Sequence, residues 1–334
     1  MTPNARIGII IIASAVVFAA VPACETPKDP VAAAVESMTP PTSSLPDAAA
    51  VAANELGLVP VLMYHQMTPS PVSEYDQTAA EFRLELERLY REGYRPVTAV
   101  DYISGRIDLP AGTHPVVLTF DDSTISQVRF ADDATLAPDS ALGILTEFAS
   151  KNPDFTPRAT FYINNEPFGN DPRVLPWLAE HGYEIGAHTA THANLASLDA
   201  IGVQRELAEN VRAIESAAPR NDVRTMALPL GIFPTDHALA AGGNWDGTPY
   251  TFDAVMLVGA EPAPSPFSTI DPMGVPRIRS GKGEVAFDSA YWLDWLADHP
   301  DQRYTSDGDP ATVSFPKSLA GELSSPRSHR ANAY

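Results

Sequence analysis

Cysteine is almost absent from this 334-residue chain: Cys24 stands alone, so no intrachain disulfide can form. Positive charge is also scarce. With 22 Lys and Arg against 42 Asp and Glu, the formal charge is -20, and such a surface repels nucleic acid and anionic lipid head groups. Neutral or cationic substrates suit it better. Three catalytic signatures are missing as well: a Gly-x-Ser-x-Gly elbow, a phosphate-binding glycine loop and a cysteine placed as a nucleophile. Serine-esterase, nucleotide and thiol chemistries are therefore disfavoured. No internal repeat of fixed period is found.

What is present begins with an address. Arg6 is followed by the apolar run Ile7 to Val21 and then Val21-Pro22-Ala23-Cys24. The run has the length of a signal-peptide core and falls short of the roughly 20 residues a spanning helix needs. A cysteine directly after it resembles a bacterial lipobox, which implies cleavage before Cys24, a lipid on that residue, and an extracytoplasmic membrane lipoprotein. An uncleaved signal anchor is the alternative. Residues 24–57 are proline- and alanine-rich with few large apolar side chains, and read as a tether after a 1–23 leader.

From residue 58 the 44% hydrophobic content is organised for a core. Leu58 to Tyr64 is a continuous apolar run, the pattern of a strand covered on both faces. Thr78-Ala-Ala-Glu81 is a capping box ahead of the stripe Phe82, Leu86, Leu89, Tyr90, and Gly93 ends that helix. Strands are expected at 95–98, 115–120, 158–163, 183–187, 223–228 and 253–259. Helices are expected at 139–150, 173–182 and 198–217, with a last one at 291–296 and an extended segment at 311–316. This alternation predicts an α/β fold with a parallel sheet, of a length that suits closure into a barrel. The domain is expected over 58–316, with 317–334 frayed.

Asp121 and Asp122 close the apolar run Val116 to Phe120, and His188-Thr-Ala-Thr-His192 lies downstream. Two carboxylates at a core edge need a cation or strong donors. A pair of histidines with one aspartate satisfies a zinc-like ion while leaving a position for water. Spacing of four lets both imidazoles face one point if the segment is helical. One aspartate then ligates while the other takes a proton from the activated water, and Asp121 can be that base. Amide hydrolysis also needs a proton donor for the departing nitrogen, and His65, at a strand end, is the candidate. His181 reads as a helix end, while His114, His237 and His299 read as surface or loop residues. Trp292 and Trp295 read as core rather than as sugar-stacking rings. The stretch Ser123 to Asp139, with Asp132-Asp133, reads as a solvated loop or as part of a substrate groove.

Leu118-Thr-Phe-Asp-Asp122 and His188-Thr-Ala-Thr-His192 resemble the first two motifs of the polysaccharide deacetylase family, the NodB-homology carbohydrate esterases. The similarity runs from about Val59 to Pro316. It implies an irregular (β/α)7-type barrel, Asp121 as base, and Asp122, His188 and His192 around one divalent metal ion, zinc first, with cobalt, nickel or iron as alternatives. The third motif reads Ala227-Leu-Pro-Leu-Gly231 here. Ala227 replaces the arginine that orients the base, and the Leu230 N–H takes the oxyanion role. The closing motif with its acid histidine is missing near the C-terminus, where Arg277-Ile-Arg279 stands. Val61-Leu-Met-Tyr-His65 instead resembles the circularly permuted exopolysaccharide de-N-acetylases, which implies His65 as acid. The implied protein is a monomeric hydrolase removing N-acetyl groups from a cell-surface glycan of N-acetylglucosamine type. O-acetyl esterase and idle glycan-binding lipoprotein are the alternatives.

Overall fold

The computed structural model describes residues 46–334, so the leader, Cys24 and the first part of the tether lie outside the described residues. The chain runs β1 (Val61–Tyr64), α1 (Ala79–Arg91), β2 (Tyr94–Val97), α2 (Ala99–Ser104), β3 (His114–Phe120), α3 (Ala141–Lys151) and β4 (Thr160–Ile163). It continues through α4 (Val174–Glu180), β5 (Glu184–Ala187), α5 (Ala200–Ala217), β6 (Thr225–Ala227), α6 (Ala238–Ala241), β7 (Gly242–Trp245) and β8 (Thr248–Thr251). The last elements are β9 (Ala254–Met256), β10 (Ile278–Arg279), α7 (Ser289–Asp298), β11 (Thr312–Phe315) and β12 (Arg330–Ala333).

Eight parallel strands form one curled half-barrel in the order β10-β1-β3-β4-β5-β6-β9, with β2 also pairing on β3. Val275 bridges Met256 of β9, and three residues later the same segment becomes β10 and pairs with β1. The sheet edges are thereby linked, giving the irregular α/β barrel expected from the alternation. Strand periodicity sorts the side chains. Val116, Leu118 and Phe120 pack outward with Phe82 and Leu86 of α1, while Val117 joins Val61, Tyr162 and Met256 in an inner cluster. By the same alternation Thr119 and Asp121 share the face of Val117. The α1 capping box forms as read: Thr78 Oγ1 accepts from Glu81 N–H at 3.2 Å, and Glu81 Oε2 accepts from Thr78 N–H at 2.8 Å. Among the described residues no helix is long and apolar enough to cross a membrane.

Both ends of the globular body differ from expectation. Residues 46–57, read as tether, are packed: Ala53 is fully buried, Asn54 and Thr305 exchange backbone hydrogen bonds at 2.9 Å, and Glu55 N–H donates to Ser314 at 2.8 Å. Small side chains permit this close approach. At Gly57 an added Cβ would sit 2.4 Å from the Arg303 backbone. The tail after Lys317, read as frayed, returns as β12 alongside β11, and the Tyr334 hydroxyl donates to Ala53 O at 2.9 Å. His114, read as a surface residue, is buried in β3 with Nδ1 2.8 Å from Tyr304 O. The first strand begins at Val61, not Leu58. On α7 the buried residues are Ser289, Leu293 and Leu296; Trp292 is half-buried and packs against the core as read, while Trp295 is half-buried.

Glu55 joins the two ends, and its charge has a cost. Burial and the neighbouring Asp307 charge raise its carboxyl to about 8. Because the folded value lies above the unfolded one, this group's stabilisation is complete below about pH 4.5 and is lost as the pH rises toward 8, at about 1.4 kcal/mol per unit. Gln at this position keeps an oxygen to accept from the Ser314 N–H, 2.7 Å away, while its NH2 can donate to the Tyr304 hydroxyl oxygen. We expect Glu55→Gln to raise the melting temperature relative to wild type at pH 8 and to lose that advantage at pH 5. Equal differences at both pH values in thermal denaturation would refute the assignment.

Candidate active site

The residues named from sequence converge at one end of the barrel, where loops leave the C-terminal ends of the parallel strands. His65 follows β1, Asp121 and Asp122 follow β3, His188 follows β5, and Leu230 lies in the turn after β6. Asp122, His188 and His192 form a cluster whose ligand-type atoms all lie within 4.8 Å of one another. His188 Nε2 and His192 Nε2 each stand 3.3 Å from Asp122 Oδ1. Two ligands at about 2.0–2.1 Å on a tetrahedral ion are separated by about 3.3 Å. The spacing therefore fits one shared cation.

The hydrogen-bond pattern supports the same fit. His188 Nδ1 lies 2.8 Å from Ala227 O, which accepts only, so Nδ1 carries the proton and Nε2 turns a lone pair toward Asp122. Asp122 Oδ1 is buried without a hydrogen-bond partner. A lone pair aimed at an unpartnered carboxylate oxygen is repulsive unless a cation lies between them. Burial works against the Asp122 charge, but the facing His188 and His65 hold its carboxyl below the usual range. His192 is shifted down, by burial first and by His188 next.

The segment carrying the histidines is not helical. Residues 188–192 form a loop in which Thr189 and His192 have φ of 63° and 56°, and Asp122 itself sits at 70°. Non-glycine residues in this region are strained, and here the strain turns three donors toward one point. Two side-chain amides hold the loop, Asn210 fully buried and Asn164 half-buried. Asn210 Oδ1 accepts from His188 N–H at 3.0 Å, and Asn164 Nδ2 donates to His188 O at 2.7 Å. Neither asparagine carries a sequence signal of its own.

Asp121 is 1% exposed and clamped by Arg277, itself fully buried. Arg277 Nη1 donates to Asp121 Oδ1 at 2.7 Å and Nη2 to Oδ2 at 2.6 Å. The guanidinium is held in turn by Thr119 Oγ1 at 3.1 Å and Leu257 O at 2.7 Å, and lies over the Tyr162 ring at 5.7 Å. Burial alone would raise the Asp121 carboxyl; the Arg277 charge and hydrogen bonds bring it down to about 2. The segment Arg277-Ile-Arg279, read as the place of a missing histidine, thus supplies the guanidinium absent at Ala227. Ala227 contributes its carbonyl to His188 instead.

His65 is half-buried, with its ring 4.9 Å from Tyr75 and Nδ1 without a partner. Burial lowers its pKa, while Asp121 and Asp122 pull the other way. Gln127, fully buried, donates from Nε2 to the backbone oxygens of His65 and Asp121 and so ties the two loops together. Leu230 has φ 59° and an exposed side chain. The stretch 123–139 is the loop that delivers Gln127, and Ser126 Oγ accepts from Met67 N–H at 3.0 Å next to His65.

Residues 109–243 match the family described as polysaccharide deacetylase. The chitooligosaccharide deacetylase of Bradyrhizobium sp. (strain ANU 289) is 31% identical over 126 residues, covering 38% of this chain and 50% of that protein. The enzyme of the same name from Sinorhizobium fredii is 31% identical over 104 residues, covering 28% and 48%. The chain thus spans about half the length of these relatives. Among solved structures, a polysaccharide deacetylase of Bacillus cereus superposes with a TM-score of 0.54 at 18% identity, covering 70% of this chain and 67% of that one. A Streptococcus pyogenes deacetylase bound to acetate gives 0.52 at 18% identity, covering 69% and 95%. These likenesses establish a shared fold.

Proposed function

We propose, since the chain carries a polysaccharide deacetylase segment at residues 109–243, that it is a metal-dependent hydrolase removing N-acetyl groups from a glycan of N-acetylglucosamine type. The observation that carries this reading is the Asp122-His188-His192 cluster beside the clamped Asp121. When bound there, a divalent ion supplies Lewis-acid polarisation and lowers the pKa of a water molecule to about 7. Asp121 stays ionised across working pH, and its free lone pairs take a proton from the attacking water. Arg277 fixes the direction in which those lone pairs point. The Leu230 N–H donates to the oxygen on which charge develops. As the C–N bond breaks, His65 passes a proton to the amine nitrogen, leaving acetate and a free amine. Burial lowers the His65 pKa, which favours release of the imidazolium proton to the departing amine.

In this reading His65 on the first strand fills the acid role, as in the permuted de-N-acetylases. The idle-binder alternative rested on the missing arginine, and Arg277 removes that support. The direct test is acetate release from N-acetylglucosamine oligomers by the metal-loaded protein. We expect His65→Ala to cut amide turnover roughly 100-fold and ester turnover much less, because an alkoxide leaves without a strong acid. Unchanged amide turnover would remove His65 from the mechanism. We also propose that the protein acts as a monomer anchored by a lipid on Cys24; an unmodified Cys24 thiol in mass spectra of the native protein would overturn the anchor.

A further inference from the structure

Among the described residues His65 Nδ1 has no hydrogen-bond partner, although the atom is buried. A proton donor that must meet a departing amine needs its ring fixed, and a hydrogen bond to the second ring nitrogen is the usual means. Here the contact is aromatic instead. The half-buried Tyr75 ring lies 4.9 Å from the His65 ring, centroid to centroid, at an interplanar angle of 58°, within the range over which tilted rings attract. Tyr75 is held in turn. The Arg279 guanidinium lies over its ring at 5.4 Å, a cation–π distance, and Arg279 Nη1 donates to Glu74 at 2.7 Å.

Two parts of the fold fix this stack. The loop from Gln66 to Gln77 is tied at its base, where Thr68 N–H donates to Gln77 O at 2.8 Å and Gln77 N–H donates to Gln66 O at 2.9 Å. Within the loop, Asp76 Oδ2 accepts from Val72 N–H at 2.9 Å and from Ser73 N–H at 3.1 Å, which closes the turn that carries Tyr75. From the other side, Arg279 pairs with Met63 in the register of β1 and β10, two residues before His65. Ile278 packs outward with Leu62 and Tyr64, so strand alternation sends Arg277 and Arg279 to the opposite face. The first clamps the base, Asp121, and the second braces the ring beside His65. One three-residue segment thereby reaches both groups that move protons.

We propose that Tyr75 is a positioning residue for the proton donor: braced by Arg279, its ring holds the His65 imidazole in the orientation that meets the departing amine. This rests on the deacetylase reading above. In the full chain labelled with 13C-histidine and kept at about pH 8, where histidine is neutral, the His65 ring signal should be single and displaced by the neighbouring ring. Its loss in His65→Ala identifies it. Tyr75→Leu should shift and broaden this signal, and Arg279→Met, which leaves the loop sequence intact, should do the same to a smaller extent. Tyr75→Phe should bring the signal back, because the ring and not the hydroxyl makes the contact. None of this needs turnover. With N-acetylglucosamine oligomers, Tyr75→Leu should lower kcat roughly tenfold while KM stays within about twofold, and hydrolysis of an aryl acetate should fall by less than about threefold, since that leaving group departs without an acid. Tyr75→Phe should recover most of the amide rate. A His65 signal unchanged in Tyr75→Leu, or amide and ester rates that fall together, would overturn the brace. An intact amide rate in Tyr75→Leu beside a deficient His65→Ala would do so too. Full amide turnover in His65→Ala would instead remove the acid from the deacetylase reading, and the histidine spectrum would still decide whether Tyr75 holds the ring.

Discussion

If the proposed deacetylase activity holds, replacing Arg277 with methionine should lower acetate release at least about 100-fold and cost the fold about 3–5 kcal/mol. The two effects share one origin. Arg277 and Asp121 are both buried, and the pair is bidentate at 2.6 and 2.7 Å, so removing the guanidinium strands a carboxylate in the barrel interior. The stranded group recovers by protonating, and a protonated Asp121 is no base. Linkage gives the sign. Asp121 is held at about 2, below its unfolded value near 3.8, so it contributes about 2 kcal/mol above pH 4 that is lost as the pH falls toward 2. In Arg277→Met the sign reverses: burial then holds the Asp121 carboxyl above its unfolded value, so the variant is least destabilised at acid pH and loses stability as the pH rises, and the activity profile gains a limb where Asp121 titrates. Arg277→Lys should recover charge but not the fork, restoring much of the stability and little of the rate. The double variant Asp121→Asn with Arg277→Met separates the roles: stability should return toward wild type while activity stays at background. If Arg277→Met kept full turnover with normal pH dependence, the clamp would have no part in positioning the base.

Much of the fold was legible because its signals are local. The capping box at Thr78 and Glu81, the apolar run into Asp121 and the stripe of α5 each announce an element within a few residues. The short elements were not legible: β7 and β8 form a glycine-containing hairpin between half-exposed strands, and β10 is two residues long. Composition misled at both ends, because alanines and glycines that bury little surface can still pair backbones closely, as Asn54 does with Thr305. At the site, the titratable residues were visible and their partners were not. Arg277 meets Asp121 across 156 positions, a contact that no spacing rule reaches. The His188–His192 spacing drew attention for a helical reason, yet a strained loop brings the rings together. Asn164, Asn210 and Gln127 act through backbone groups, which leave no trace in side-chain patterns.

Stripping the metal should silence the protein and soften it in the same experiment. His188 Nε2, His192 Nε2 and Asp122 Oδ1 converge with no hydrogen bond among them to compensate, so the empty cluster holds unfavourable lone-pair contacts that a cation relieves. A ligand that binds only the folded chain stabilises it by about 4 kcal/mol at 1,000 times its dissociation constant. Chelation should therefore lower the melting temperature by several degrees and reduce acetate release to background, with zinc or cobalt restoring both. Elemental analysis should find one ion per chain in wild type and none in His188→Ala. The melting temperature of that variant should no longer respond to chelator, a readout that does not depend on turnover. Asp122→Asn keeps an oxygen donor but loses the charge that balances the cation, so its metal should bind at least roughly tenfold more weakly. Loss of activity in His188→Ala with metal content and chelator response unchanged would mean that the ion sits elsewhere. The imidazole would then serve the substrate instead. Its position argues against that, since His188 is 2% exposed, donates through Nδ1 to Ala227 and points its other nitrogen at Asp122.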